Sequence, residues 1–146
     1  MGKLTLPTSG SLYLDANCFI YSVEKIEPYY TLLKPMWVAA QGKQFEIVSS
    51  ELTLLETLTK PMRENDIILE NLFRALLNAK EVRLISTTTE IWEQATRLRA
   101  KSRLKTPDAI HAATALATGC TLFITNDVGF RGISNLSVIL LSDLLK

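Results

Sequence analysis

The stretch that decides the fold is Leu104-Lys105-Thr106-Pro107-Asp108-Ala109-Ile110-His111-Ala112-Ala113-Thr114-Ala115-Leu116-Ala117-Thr118-Gly119-Cys120-Thr121-Leu122-Phe123-Ile124-Thr125-Asn126-Asp127. Thr106 is a good helix N-cap and Pro107 suits the first helical position. Asp108 lies in the first turn, facing the positive end of the helix dipole. The pattern predicts a helix through Ala117 that stops near Gly119. Thr121-Leu122-Phe123-Ile124 then reads as a short buried strand, and Asp127 follows it closely.

The same alternation extends in both directions. Residues 11–15 read as a strand ending in Asp15, and Asn17 to Val23 as a turn of helix. Residues 28–41 look helical, with Pro35 expected to kink or split the helix. Phe45-Glu46-Ile47-Val48 reads as a strand. Ser50 then caps a helix through about Lys60 that Pro61 ends. Asp66 caps a helix with apolar residues at helical spacing over 67–77. Val82-Arg83-Leu84-Ile85 is a strand, and Thr88 or Thr89 opens a helix carrying Ile91, Trp92, Ala95 and Leu98. Val138-Ile139-Leu140-Leu141 is the last strand. Strands alternating with helices imply an α/β fold, a three-layer α/β/α sandwich around a parallel sheet of four or five strands. No linker or repeat divides the chain, so residues 1–146 read as a single domain.

Four acids fall where such a sheet would gather them. Open parallel sheets bind ligands at the C-terminal ends of their strands. Asp15 and Asp127 follow strands, and Asp108 opens a helix. Glu56 shares its helix side with Leu52, Leu55 and Thr59, so that side reads as partly buried. Glu51 lies about 140° further around the helix, at a solvated first turn. Each Asp alone could be a cap or a turn former. Together the carboxylates suggest an acidic pocket, which is costly unless a cation occupies it. The fitting occupant is a hard divalent ion with oxygen ligands, Mg²⁺ or Mn²⁺.

Composition narrows the remaining classes. With 146 residues, 47% of them apolar and 21% charged, the chain reads as globular. A net charge of +1 means that any attraction to a polyanion is local. Cys18 and Cys120 lack metal-ligand spacing and suit a reducing compartment. No signal peptide or membrane span is evident, so a cytoplasmic location is expected. A nuclease with two catalytic histidines is excluded, because His111 is the only histidine. No Gly-x-Ser-x-Gly elbow, phosphate-binding loop or dinucleotide fingerprint is present.

Leu12-Tyr13-Leu14-Asp15-Ala16-Asn17, Ser50-Glu51-Leu52-Thr53-Leu54-Leu55-Glu56, Leu104 to Ala115 and Phe123-Ile124-Thr125-Asn126-Asp127-Val128-Gly129-Phe130 carry a resemblance. They resemble the PIN domain, and within it the single-domain VapC-type toxins of toxin–antitoxin modules. The resemblance implies a Mg²⁺- or Mn²⁺-dependent endoribonuclease that leaves a 5′-phosphate and a 3′-hydroxyl. It implies metal-binding and catalytic roles for Asp15, Glu56, Asp108 and Asp127, and site-lining roles for Thr125 and Asn126. Asn17 is expected to line the site as well. The implied partners are an RNA substrate, a small antitoxin protein and a second copy in a homodimer.

Arg97, Arg99, Lys101, Arg103 and Lys105 alternate just before Asp108, and Arg131 follows Asp127. They are candidates to grip phosphates flanking the scissile bond, set against a solvated helix end. His111 reads as a structural polar residue near the pocket rim. Trp37, Trp92, Tyr29 and Tyr30 are candidates to stack on bases, but their places in apolar helical patterns favour core or interface packing, and the 67–77 helix reads as core, dimer contact or antitoxin groove. Two rival readings are an Asp-phosphotransfer protein using Asp15 and a non-catalytic PIN-like binding module. A phosphatase of the first kind wants an acid two residues after the nucleophile, where this chain has Asn17.

Overall fold

Leu12, Tyr13 and Leu14 are completely buried, which marks their strand as the centre of the sheet. The computed structural model describes residues 2–146. Its strands are β1 (Ser11–Leu14), β2 (Glu46–Ser50), β3 (Val82–Ile85), β4 (Leu122–Thr125) and β5 (Val138–Leu140). The helices are α1 (Ala16–Val23), α2 (Tyr29–Gln41), α3 (Leu52–Arg63), α4 (Ile67–Leu77), α5 (Thr89–Lys101) and α6 (Thr106–Thr118). Short 3₁₀ turns follow β4 and β5. All strand pairs are parallel, in the order β3-β2-β1-β4-β5.

Side chains of successive strand residues point to opposite faces, so each central strand feeds two cores. Leu12, Leu14, Ile47 and Ile124 pack on one face against Phe19 of α1, Leu33 and Met36 of α2 and Leu77 of α4. Tyr13, Val48 and Phe123 pack on the other face against Ile91 and Ala95 of α5 and Ala109, Ala112 and Ala113 of α6. Tyr13 stacks on Phe123 with centroids 5.0 Å apart. Each large apolar side chain so buried contributes about 1.5–3 kcal/mol relative to exposure. The result is the expected α/β/α sandwich, with the five-strand version of its sheet. No helix among the described residues is long and apolar enough to cross a membrane.

The local differences have local causes. Pro35 neither splits α2 nor ends it. Leu32, Leu33, Met36 and Ala40 pin both halves of the helix to the core, while Pro35 and Thr31, whose carbonyl loses its donor, are both on the exposed side. Likewise α3 continues past the buried Pro61 to Arg63. Glu51, not Ser50, takes the N-cap position of α3, without a side-chain cap bond, while Ser50 one residue earlier accepts from the Leu52 amide at 3.0 Å. Lys105 takes the N-cap position of α6 in place of Thr106. The Thr106 hydroxyl is instead engaged by Arg99. Gly119 ends α6 in the left-handed conformation, φ 64°, where a residue without Cβ is least strained.

Candidate active site

The strand order reverses beside β1. The chain runs from β1 outward to β2 and β3, then returns to β4 on the other side of β1. This switch point opens a crevice at the C-terminal edge of the sheet. Asp15 directly follows β1, and Asp127 follows β4 after Asn126. Asp108 enters from the first turn of α6 and Glu56 from the middle of α3. The four acids line one cavity of about 140 Å³, together with Ala16, Asn17, Ile20 and His111.

Hydrogen bonds hold Asp15, Asp127 and Glu56 in place. Asp15 is 5% exposed and caps α1, accepting from the Cys18 amide at 3.3 Å. Its other oxygen accepts from the buried Thr125 hydroxyl. Thr125 Oγ1 also accepts from the Asp127 amide at 3.0 Å, so one hydroxyl ties the two strand-end acids together. Asp127 in turn accepts from the Gly129 amide at 2.8 Å. Glu56 accepts from His111, Nε2 to Oε1, at 2.6 Å, and His111 Nδ1 lies 2.7 Å from the Tyr13 hydroxyl.

Asp108 feels both its burial and the other acids. Burial raises the Asp108 carboxyl above its ordinary range. The charge of Asp127 raises it further, Asp15 and Glu56 push the same way, and His111 opposes them. Burial also raises Asp15, against the hydrogen bonds from Thr125 and Cys18 and the influence of His111. Four carboxylates around one small cavity are a set of oxygen donors that suits a small hard cation. Among the described residues, no three His, Cys, Asp or Glu side chains close tightly enough on one point to form a ready metal cluster. The acids therefore share a cavity rather than a single focus.

The other expected site residues divide. Asn17 lines the cavity and is exposed. Thr125 lies beneath it, bonded to both strand-end acids. Asn126 is turned elsewhere, accepting from the Ser142 amide at 3.0 Å and approaching the Tyr21 hydroxyl at 3.4 Å. It fastens the end of β4 to the C-terminal segment.

The cations form a track that leaves the acids on one side. Arg103 and Lys105 share an adjoining cleft with Asp108, Asp127 and Gly129. Gly129 also borders a larger cavity, a trough of about 860 Å³ lined by Arg97, Lys101 and Arg131 among polar residues such as Gln94, Ser102 and Asn135. Arg99 does not join this track. Its guanidinium donates to the Leu104 carbonyl at 3.0 Å and to the Thr106 hydroxyl at 3.1 Å, bracing the loop before Asp108. Arg131 is shared with Asp143, at 2.6 Å.

Ala16 and Ile20 reach the cavity without any sequence signal beyond their nearness to Asp15. The signal for His111 was its place one turn after Asp108, which puts both on the same side of α6.

The family model of the PIN domain matches residues 12–136. No curated protein matches the sequence. Among solved structures, VapBC2 from Rickettsia felis, bound to a DNA fragment from its promoter, is similar with a TM-score of 0.71 and 19% identity. That match covers 89% of this chain and 98% of the other. A toxin–antitoxin complex from Klebsiella pneumoniae gives a TM-score of 0.65 at 23% identity, covering 88% and 95%. VapBC-5 from Mycobacterium tuberculosis, of the VapBC toxin–antitoxin family, gives 0.59 at 19% identity, covering 92% and 99%.

Proposed function

The chain belongs to the PIN domain family, and on that premise we propose that it is a divalent-metal-dependent endoribonuclease, the toxin of a type II toxin–antitoxin module. The observation that carries this reading is the one small cavity that Asp15, Glu56, Asp108 and Asp127 line together, where burial first and then the charge of Asp127, with Asp15 and Glu56, raise the Asp108 carboxyl. Acids from β1, α3, α6 and β4 thus bear on one small space. Mg²⁺ or Mn²⁺ bound there would neutralise charge developing on a scissile phosphate and lower the pKa of a water.

Asp15, Asp108 and Asp127 are the residues that would hold the ion, with Glu56 beside them. Thr125 orients the Asp15 carboxylate and the Gly129 amide that of Asp127 before substrate arrives, so little ordering remains for binding. Asn17, exposed at the cavity, can donate to a phosphate oxygen. Arg103 and Lys105 stand in the adjoining cleft, where they offset the repulsion between acids and RNA. Arg97 and Lys101 extend the same attraction along the trough. Nothing in the site favours the phosphotransfer reading over this one.

The partners follow from surfaces and relatives. Val23, Tyr30, Trp37, Val38, Leu72 and Leu76 line an apolar groove of about 410 Å³ that suits a short antitoxin helix. Leu55 and Met62 on α3 and Ile67 and Ile68 on α4 are exposed apolar side chains suited to a homodimer contact. Cys18 and Cys120 are both free thiols, in keeping with a reducing cytoplasm.

The test is digestion of end-labelled RNA by the wild-type protein and Asp108→Asn in Mg²⁺, Mn²⁺ or EDTA. Wild type is expected to cleave with either ion and leave a 5′-phosphate. Chelation should abolish cleavage, and Asp108→Asn should lose it while unfolding cooperatively. Full cleavage by the folded variant, or by wild type in EDTA, would refute the proposal.

A further inference from the structure

His111 is 2% exposed, yet it bridges the apolar core and the acidic cavity. On one side the Tyr13 hydroxyl lies 2.7 Å from Nδ1. On the other, Nε2 lies 2.6 Å from Glu56 Oε1. An ionised carboxylate only accepts hydrogen bonds, so Nε2 carries the hydrogen in that contact. With the ring neutral, Nδ1 is then an acceptor, and the Tyr13 hydroxyl donates to it. The chain of donation runs one way: Tyr13 to His111 to Glu56.

This relay answers a problem that Glu56 alone poses. Glu56 sits on α3, with its side chain 28% exposed, while the other acids are fixed at strand ends or at the start of a helix. Its side chain has more rotatable bonds than an aspartate, and the charges of the other acids repel it towards solvent. Only a donor fixed on the cavity wall keeps it inward. His111 is fixed in that way, because Tyr13 is itself immobile, completely buried and stacked on Phe123.

We infer that His111 is a positioning residue, which, oriented by Tyr13, holds one oxygen of Glu56 and presents the other to the cation cavity. The inference rests on the metal-dependent reading of the site. Partners of this kind, hydrogen-bonded to metal-ligating groups, are worth about 10–100-fold in metal affinity. A merely structural histidine would affect folding and leave the affinity of the folded protein unchanged.

The experiment measures Mn²⁺ affinity by electron paramagnetic resonance, alongside thermal unfolding and RNA cleavage. The proteins are wild type, His111→Leu, His111→Gln, Tyr13→Phe, Glu56→Gln and the double variant His111→Leu/Glu56→Gln. His111→Leu should bind Mn²⁺ about tenfold or more weakly. His111→Gln, which restores an N–H near the Nε2 position, should recover most of that loss. Tyr13→Phe, which touches no acid, should weaken binding in the same direction. In the Glu56→Gln background, His111→Leu should add no further loss, because its effect passes through that carboxylate. Should His111→Leu fail to fold, Tyr13→Phe decides the matter: equal Mn²⁺ affinity in wild type and Tyr13→Phe overturns the inference. Tight binding by wild type with additive losses in the double variant overturns it too, while the nuclease reading stands. Absence of Mn²⁺ binding by wild type overturns both.

Discussion

Asp108 shows how one carboxylate carries a conflict between stability and function. Its folded pKa is raised, so the folded state holds the proton more tightly than the unfolded chain does. An acid shifted upward destabilises the fold where it is ionised, above both pKa values, and is neutral in its effect below them. In EDTA at neutral pH, Asp108→Asn should therefore unfold at a higher temperature than wild type. The gain should shrink as pH falls through the raised pKa of the folded protein and be gone below about 4, where the unfolded carboxyl is itself protonated. Unfolding temperatures across pH check this, and a variant less stable at neutral pH would contradict it. Thr125 makes the converse case. Its buried hydroxyl bonds both Asp15 and the Asp127 amide. Thr125→Val keeps the shape and removes both partners, which should cost about 1–3 kcal/mol in denaturant unfolding.

Helix α6 does most of the placing at the scale of elements. Its alanines, Ala109, Ala112, Ala113 and Ala115, are nearly or wholly without exposure, which lets the helix lie close to the sheet and bring Asp108 and His111 to the cavity. Both of its ends are stated in the sequence, by Thr106-Pro107-Asp108 and by Gly119. At Gly119 an added Cβ would meet no atom within 4 Å, so the only penalty of Gly119→Ala is its positive φ. The expected loss is about 1 kcal/mol, read from chemical denaturation. A larger loss would mean that the end of α6 is packed and not merely turned. Helix α2 teaches the opposite lesson. Pro35 is a correct local signal for a break, and the burial of Leu32, Leu33, Met36 and Ala40 outweighs it.

The whole molecule separates its charges, although their sum is only +1. Acids collect in the small cavity and cations along the trough beside it. RNA affinity should therefore weaken with salt. Removing Lys101 or Arg103 should lower the log–log salt slope by about 0.7 each for a single strand. Arg99→Ala should instead lower stability, since its guanidinium is spent on the Leu104 carbonyl and Thr106. Filter binding across a salt series separates the two outcomes. What the chain by itself determined is the alternation of strands and helices and the positions of Asp15, Asp108 and Asp127. Those features are local, since a strand period, a cap and a stop residue act over a few neighbouring positions. Only the tertiary structure decided that Asn126 faces away, that Arg99 braces a loop, and that His111 links Tyr13 to Glu56. Those contacts join residues far apart along the chain, and their direction depends on how helices settle on the sheet, which no nearby residue encodes.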